Sequence, residues 1–169
     1  MAKQALMVIA FDGFRDEEYN EPKKVLEKAG VEVTTASTKI GIAKGKLGMS
    51  ANVDIVLEKV LVKDYDAVIF IGGPGSYDYF NNPLALNIAR EAKELGKVVA
   101  GICAAAAILA HADVLRGVKA SCFPGVSDIL KQNSAEYDPG GLTVDGKIIT
   151  ADGPAHAKQF GQAIVKALS

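Results

Sequence analysis

The chain has 169 residues, enough for one compact domain with a single sizeable core, and its 49% hydrophobic and 23% charged residues are the usual balance of a soluble globular protein. A net charge of −1, with acids and bases mixed along the chain, excludes the basic footprint of a nucleic-acid binder and the polybasic patch of a membrane-surface protein. Two cysteines far apart, in no metal-ligand spacing, supply neither a disulfide framework nor a metal cluster, so no metal and no other cofactor is expected.

The first apolar run, ALMVIAF (5–11), is too short to span a bilayer, is stopped by Asp12, and lacks the charged leader and cleavage site of a secretion signal. It reads as a first strand, in a protein expected to be cytoplasmic with reduced thiols. Residues 16–29 form an amphipathic helix closed by Gly30, with Pro22 either bending its first part or marking where regular helix begins. VEVTTAS (31–37) is the second strand, and the Gly- and Lys-rich segment 39–48 suggests a hairpin or exposed flap. DAVIFIGG (66–73) is a near-continuous apolar strand, as expected where both sheet faces are covered. A helix over 83–95 follows, with Pro83 near its start and Gly96 after its end. KVVAGI (97–102) is another buried strand, and 103–111 a further helix. LTVDGKIITAD (142–152) is a hairpin with an Asp-Gly turn at 145–146, and a last helix covers 156–168.

With no repeat, linker or low-complexity tract, residues 1–169 read as one α/β domain with a mostly parallel sheet and helices on both faces. Chemistry in such sheets collects at the carboxyl ends of the strands. Three strands end there in informative residues: the first reaches FDGFRDEE, the third GGPGS, and KVVAGI reaches Cys103. Cys103 is either a small hydrophobe filling the core or a nucleophile held on a tight turn. Gly101 and Ala105 flank it as G-x-C-x-A, close to the G-x-S-x-G elbow, and a helix starting there would point its amides and positive end at the sulfur, favouring thiolate. IGGPGS (71–76) is a glycine-dependent turn or, with the Gly73 and Ala104 amides, an oxyanion site; Pro74 cannot donate. The acids of RDEEYNEP (15–22) serve the helix dipole and solvent, or one of them turns inward beside the thiol with a raised pKa and acts as general acid/base.

Together these blocks resemble the PfpI/DJ-one family of the class I glutamine-amidotransferase-like superfamily over nearly the whole chain. The resemblance rests on Phe14-x-Asp16-x-Glu18 with Pro22, GKLGMSANVD, DYDAVIFIGGPG, GICAAAAIL, VLRGVKAS, SCFPGVSD and VDGKIITADGP, in that order and spacing. It implies a flavodoxin-like three-layer sandwich, Cys103 as the functional thiol on a nucleophile elbow, Glu18 as its acid/base partner from the first helix, and oxyanion amides at Gly73 and Ala104. It also implies a homo-oligomer, at least a dimer, with the site near a subunit interface.

The pattern departs from that family at its histidine. In the peptidase branch the imidazole directly follows the cysteine, where this chain has Ala104; in the DJ-one branch it precedes a proline, where this chain has Phe123. His156, in ADGPAHAKQF, is the auxiliary candidate, and His111 reads as a helix-end residue. Cys122 neighbours the empty histidine position and is expected to face away, a resolving thiol being the alternative; Tyr19, beside Glu18, is a weaker candidate for the pocket wall. The implied function is stress-related: thiolate attack on a small reactive carbonyl, or on damaged protein, in glyoxalase or deglycase chemistry. The alternatives are a redox-sensing or chaperone-like thiol and an intracellular cysteine peptidase.

Overall fold

The computed structural model describes residues 1–169. Its strands are β1 (Gln4–Val8), β2 (Asp12–Phe14), β3 (Glu32–Ser37), β4 (Gly41–Gly45), β5 (Ser50–Val53), β6 (Ile55–Val56), β7 (Ala67–Phe70), β8 (Val98–Ile102), β9 (Lys119–Ala120), β10 (Glu136–Tyr137), β11 (Leu142–Asp145) and β12 (Ile148–Ala151). Its α-helices are α1 (Asp16–Lys28), α2 (Pro83–Glu94), α3 (Ala106–His111), α4 (Ser127–Gln132) and α5 (Ala157–Leu168). Seven strands form the central sheet in the order β11-β12-β8-β7-β1-β3-β6, parallel except for β11 at one edge.

The apolar runs explain the two covered faces. Along β1, Ala5 and Met7 point to one face and Leu6 and Val8 to the other, and all four are buried. On the first face, Leu26 of α1 and Phe160 and Ile164 of α5 pack over Met7, Ile69 and Ala100. On the second, α2, α3 and α4 cover Leu6, Val68, Phe70 and Val99. Helix α3 is buried from Ala106 to Ala110, which explains its composition: small side chains let it lie close against β8. The result is the three-layer, mostly parallel α/β sandwich expected from the sequence.

Several sequence expectations hold to within a residue or two. Asn82 caps α2, its Oδ1 accepting from the Leu84 and Ala85 amides, and Gly96 follows at φ +70°. The β11–β12 hairpin turns at Gly146-Lys147, one residue later than the expected 145–146, with Asp145 paired to Ile148, and β4 and β5 form the expected hairpin over the Gly-Lys segment. Helix α1 runs through Pro22 without interruption.

Two boundaries differ. The first strand ends at Val8 because the Ile9 carbonyl accepts instead from Ser37 Oγ (2.7 Å) and Tyr79 Oη (2.8 Å). The chain then forms β2, paired with β4, which draws the hairpin against the start of α1. The helix expected over 103–111 is regular only from Ala106, because Cys103–Ala105 form a 3₁₀ turn. No helix is long and apolar enough to cross a membrane.

Candidate active site

Strand β8 delivers Cys103 to the carboxyl edge of the sheet. The residue there adopts φ +60°, a left-handed conformation rare for a side chain with a Cβ and costing about 1–3 kcal/mol. The chain thus turns sharply between strand and helix, which is an elbow in the geometric sense. Beneath it, a Cβ on Gly101 would come within 3.1 Å of Leu109 Cδ1, so glycine lets the helix lie close against the strand without displacing that side chain.

Strand β7 ends in the second element of the site. Gly73 has φ +108°, and a Cβ there would strike the Arg15 amide and lie 2.5 Å from the Gly13 carbonyl. The Arg15 amide donates to the Gly72 carbonyl at 2.9 Å, so this loop fixes the first turn of α1. Gly72 itself is squeezed between the reactive groups: a Cβ would lie 2.5 Å from Glu18 Oε1 and 2.9 Å from Cys103 Cβ. Two glycines, required by backbone and side-chain approach, bring α1 and the elbow together.

Glu18, from the first turn of α1, is fully buried, and neither carboxyl oxygen has a hydrogen-bond partner of good geometry. What faces the carboxyl is the Cys103 thiol and the Gly72 backbone, both close enough to influence its ionisation. Burial nevertheless dominates and pushes its pKa up to about 8, so at neutral pH it is mainly the uncharged acid. The Cys103 thiol is pushed up to about 12, first by burial and then by the Glu18 charge, with the Ala104 amide acting in the opposite direction. This corrects the expectation that the helix start makes Cys103 a ready thiolate. Regular helix begins three residues later and lasts six, so its dipole is weak and distant compared with the desolvation.

Cys103 and Glu18 line a cavity of about 290 Å³ together with Gly73 and Ala104, so the four residues singled out from the sequence meet at one place. Phe123 lines it too, and its amide donates to the Cys103 carbonyl at 3.2 Å. The position where the DJ-one branch carries histidine therefore does reach the cavity, with a benzyl ring. His156 does not form part of the wall; its Nδ1 pairs at 2.7 Å with Oδ1 of Asp152, which does. Cys122 is a free, buried thiol in the core cluster on the α2–α4 face and does not line the cavity. Tyr19 borders a separate polar cleft and bonds Thr35 Oγ1 at 2.7 Å. His111 packs against Phe80, ring centroids 5.7 Å apart.

Three charged wall residues escaped the sequence reading: Arg15, Lys46 and Asp152. Arg15 is tied to Glu17 by two hydrogen bonds, at 2.9 and 3.0 Å. Lys46 sits at the turn between β4 and β5, which Asp16 pins by accepting from the Leu47 (3.0 Å) and Met49 (2.8 Å) amides. Asp152 directly follows the end of β12, and the rule that strand ends carry the chemistry applied to it as well. No group of three or more potential metal-ligating side chains is present.

A cysteine in left-handed conformation at the carboxyl edge of a doubly covered parallel sheet, backed by a buried glutamate, defines an elbow-type α/β protein of flavodoxin-like fold. Comparison with known proteins makes the class specific. The DJ-1/PfpI family model matches residues 3–167, and the chain belongs to that family. It is 39% identical over 168 residues to an uncharacterized protein of Methanocaldococcus jannaschii, covering 98% of this chain and 82% of that one. It is 33% identical over 163 residues to a deglycase of Pyrococcus horikoshii, covering 96% and 98%. The crystal structure of a ThiJ/PfpI domain protein from Brachyspira murdochii matches with a TM-score of 0.97 at 34% identity, covering 99% of this chain and 96% of that one.

Proposed function

We propose that the protein is a cysteine-dependent enzyme acting on small reactive carbonyls, in glyoxalase- or deglycase-like chemistry. The observation that carries this reading is the pairing of Glu18, buried and mainly protonated, with the Cys103 thiol in one cavity. The name of the Pyrococcus horikoshii relative supports the same class.

The two groups titrate as a pair. Loss of one proton leaves a shared proton that sits on sulfur or on carboxylate, and the form with Glu18 protonated holds the nucleophile. Thiolate attack on the aldehyde carbon of a 2-oxoaldehyde such as methylglyoxal forms the C–S bond and moves the carbonyl electron pair onto oxygen. The Gly73 and Ala104 amides hold that oxygen, and Glu18 gives it the proton, completing a hemithioacetal. The Glu18 carboxylate then removes the adjacent C–H proton to give an enediol and returns it to the neighbouring carbon, while the hydroxyl proton passes from the first oxygen to the second. This yields a lactoyl thioester, which water hydrolyses to lactate and free thiol.

The test is methylglyoxal loss matched to lactate formation. Replacement Cys103→Ser should abolish it, and Glu18→Gln should lower it by about 100-fold or more. Wild-type turnover no faster than that of Cys103→Ser rejects the reading.

The same uncharged acid favours a second reading, in which Cys103 is a redox sensor. Two equivalents of peroxide would take the sulfur to sulfinate, with Glu18 donating a hydrogen bond to the new anion. Intact mass after mild peroxide treatment decides it, since the reading requires two added oxygens at Cys103. A cysteine peptidase finds less support, because it needs an imidazole and the cavity wall carries none. We also infer a homo-oligomer, supported by the exposed Ile40, Ile42 and Leu47 on and beside the β4–β5 hairpin. A monomeric mass by light scattering would overturn it.

A further inference from the structure

Thioester hydrolysis needs a base for the attacking water, and the family's histidine positions hold Ala104 and Phe123. The other wall residues narrow the choice. Glu18 serves the proton transfers of the isomerisation and is fully buried at the start of α1. Lys46 and Arg15 are cations, and Arg15 is held by Glu17. The remaining acid/base is Asp152.

Its position follows from the sheet. Strands β8 and β12 are parallel neighbours, with Ala151 level with Ile102. Asp152 and Cys103 are therefore the next residues out of adjacent strands, at the same height on the carboxyl edge, and both line the cavity. The Asp152 amide donates to the Gly141 carbonyl at 2.9 Å, which fixes the backbone. His156 Nδ1 holds Oδ1 at 2.7 Å, leaving Oδ2 for a cavity ligand. One edge of the imidazole lies against Gly141: a Cβ there would lie 2.6 Å from Nδ1 and closer still to Cε1 and Nε2. A carboxylate facing a cavity with a fixed imidazole behind it has the orientation general-base work requires.

We propose that Asp152, held by His156, is the second catalytic carboxylate of this site and activates the water that hydrolyses the Cys103 thioester. The inference rests on the carbonyl-chemistry reading above. As the water oxygen bonds to the thioester carbon, Asp152 Oδ2 takes its proton. The tetrahedral intermediate then breaks the C–S bond, the electron pair leaving with the Cys103 sulfur, which takes the proton back from Asp152, while the new carboxylic acid gives its proton to the Glu18 carboxylate. Lactate departs and both carboxyl groups return to their starting states. Asp152 is the catalytic residue here and His156 a positioning residue.

The experiment follows methylglyoxal turnover with full-length wild-type, Cys103→Ala, Asp152→Asn and His156→Gln proteins, with intact mass and hydroxylamine as added probes. Asp152→Asn keeps the size of the side chain. It should lower steady-state turnover about 100-fold while one equivalent of adduct accumulates on Cys103. Hydroxylamine, a nucleophile that needs no base, is added once free methylglyoxal has been removed, because it would trap the aldehyde as an oxime; it should release the adduct as lactohydroxamate and return the unmodified mass of the protein. His156→Gln should lower kcat about 3- to 10-fold with KM unchanged, with part of the same hydroxylamine-releasable adduct accumulating. Wild-type turnover in Asp152→Asn, or lost turnover with no hydroxylamine-releasable adduct, overturns the role of Asp152 while leaving the function of Cys103 intact. Equal turnover in wild type and Cys103→Ala overturns the carbonyl-chemistry reading itself.

Discussion

The Glu18 carboxyl lies against the Cys103 thiol across a glycine, with neither carboxyl oxygen hydrogen-bonded in good geometry, the carboxyl fully buried and the thiol largely so. Desolvation disfavours both anions, and the second charge is opposed by the first. The site is therefore built to hold protons at neutral pH and to release the first of them near pH 8.

That arrangement has a stability consequence. Glu18 has a folded pKa of about 8 against an ordinary value of 4.5, so between those values the folded state binds more protons than the unfolded one. Its contribution is complete below pH 4.5 and is lost as pH rises through 8, on the order of a few kcal/mol. Denaturant unfolding of wild type and Glu18→Gln across this window should show the variant gaining relative stability as pH rises. A constant difference between the two would contradict the raised pKa.

Gly72→Ala tests the close approach. The new methyl would meet Glu18 Oε1 and Cys103 Cβ at 2.5 and 2.9 Å, forcing the pair apart. A loss of about 1–3 kcal/mol in denaturant unfolding is expected, together with a changed pH dependence of Cys103 alkylation. An unchanged alkylation profile would mean that the pair does not depend on this spacing.

How far all this was legible depended on the residue. Periodicity placed the strands and long helices because they bury regular apolar faces, as in the alternation of Ala5, Leu6, Met7 and Val8. It missed β2 and the two-residue strands β6, β9 and β10, whose pairing is decided by distant partners rather than by local pattern. Cys103 and Glu18 were named from ordered motifs, but their protonation was not readable. The dipole argument counted helix residues and took no account of the water excluded around the sulfur. Arg15, Lys46 and Asp152 came from ordinary loop ends that only the fold gathers into one wall.

The Asp16 carboxylate ties the β4–β5 turn to the start of α1 through the Leu47 and Met49 amides. Asp16→Ala should cost about 1–3 kcal/mol and speed hydrogen exchange at residues 47–49 more than elsewhere. Exchange in that turn as slow as in wild type would show that other contacts hold it.

Phe123 occupies a wall position with its backbone bonded to that of Cys103. Phe123→His should supply an imidazole and raise kcat/KM for methylglyoxal by about 10-fold or more, the lower end of general acid–base contributions being larger still. A variant that folds normally and gains nothing would show that this position does not limit the rate.

The most direct measurement is the ultraviolet thiolate titration of Cys103, made in a Cys122→Ala background with and without Glu18→Gln. With Glu18 present, the sulfur should ionise only far above the ordinary thiol range. With the carboxyl gone it should ionise at distinctly lower pH, still raised by burial. Superimposable curves, or a thiolate already formed at neutral pH with Glu18 in place, would contradict the coupling on which the account is built.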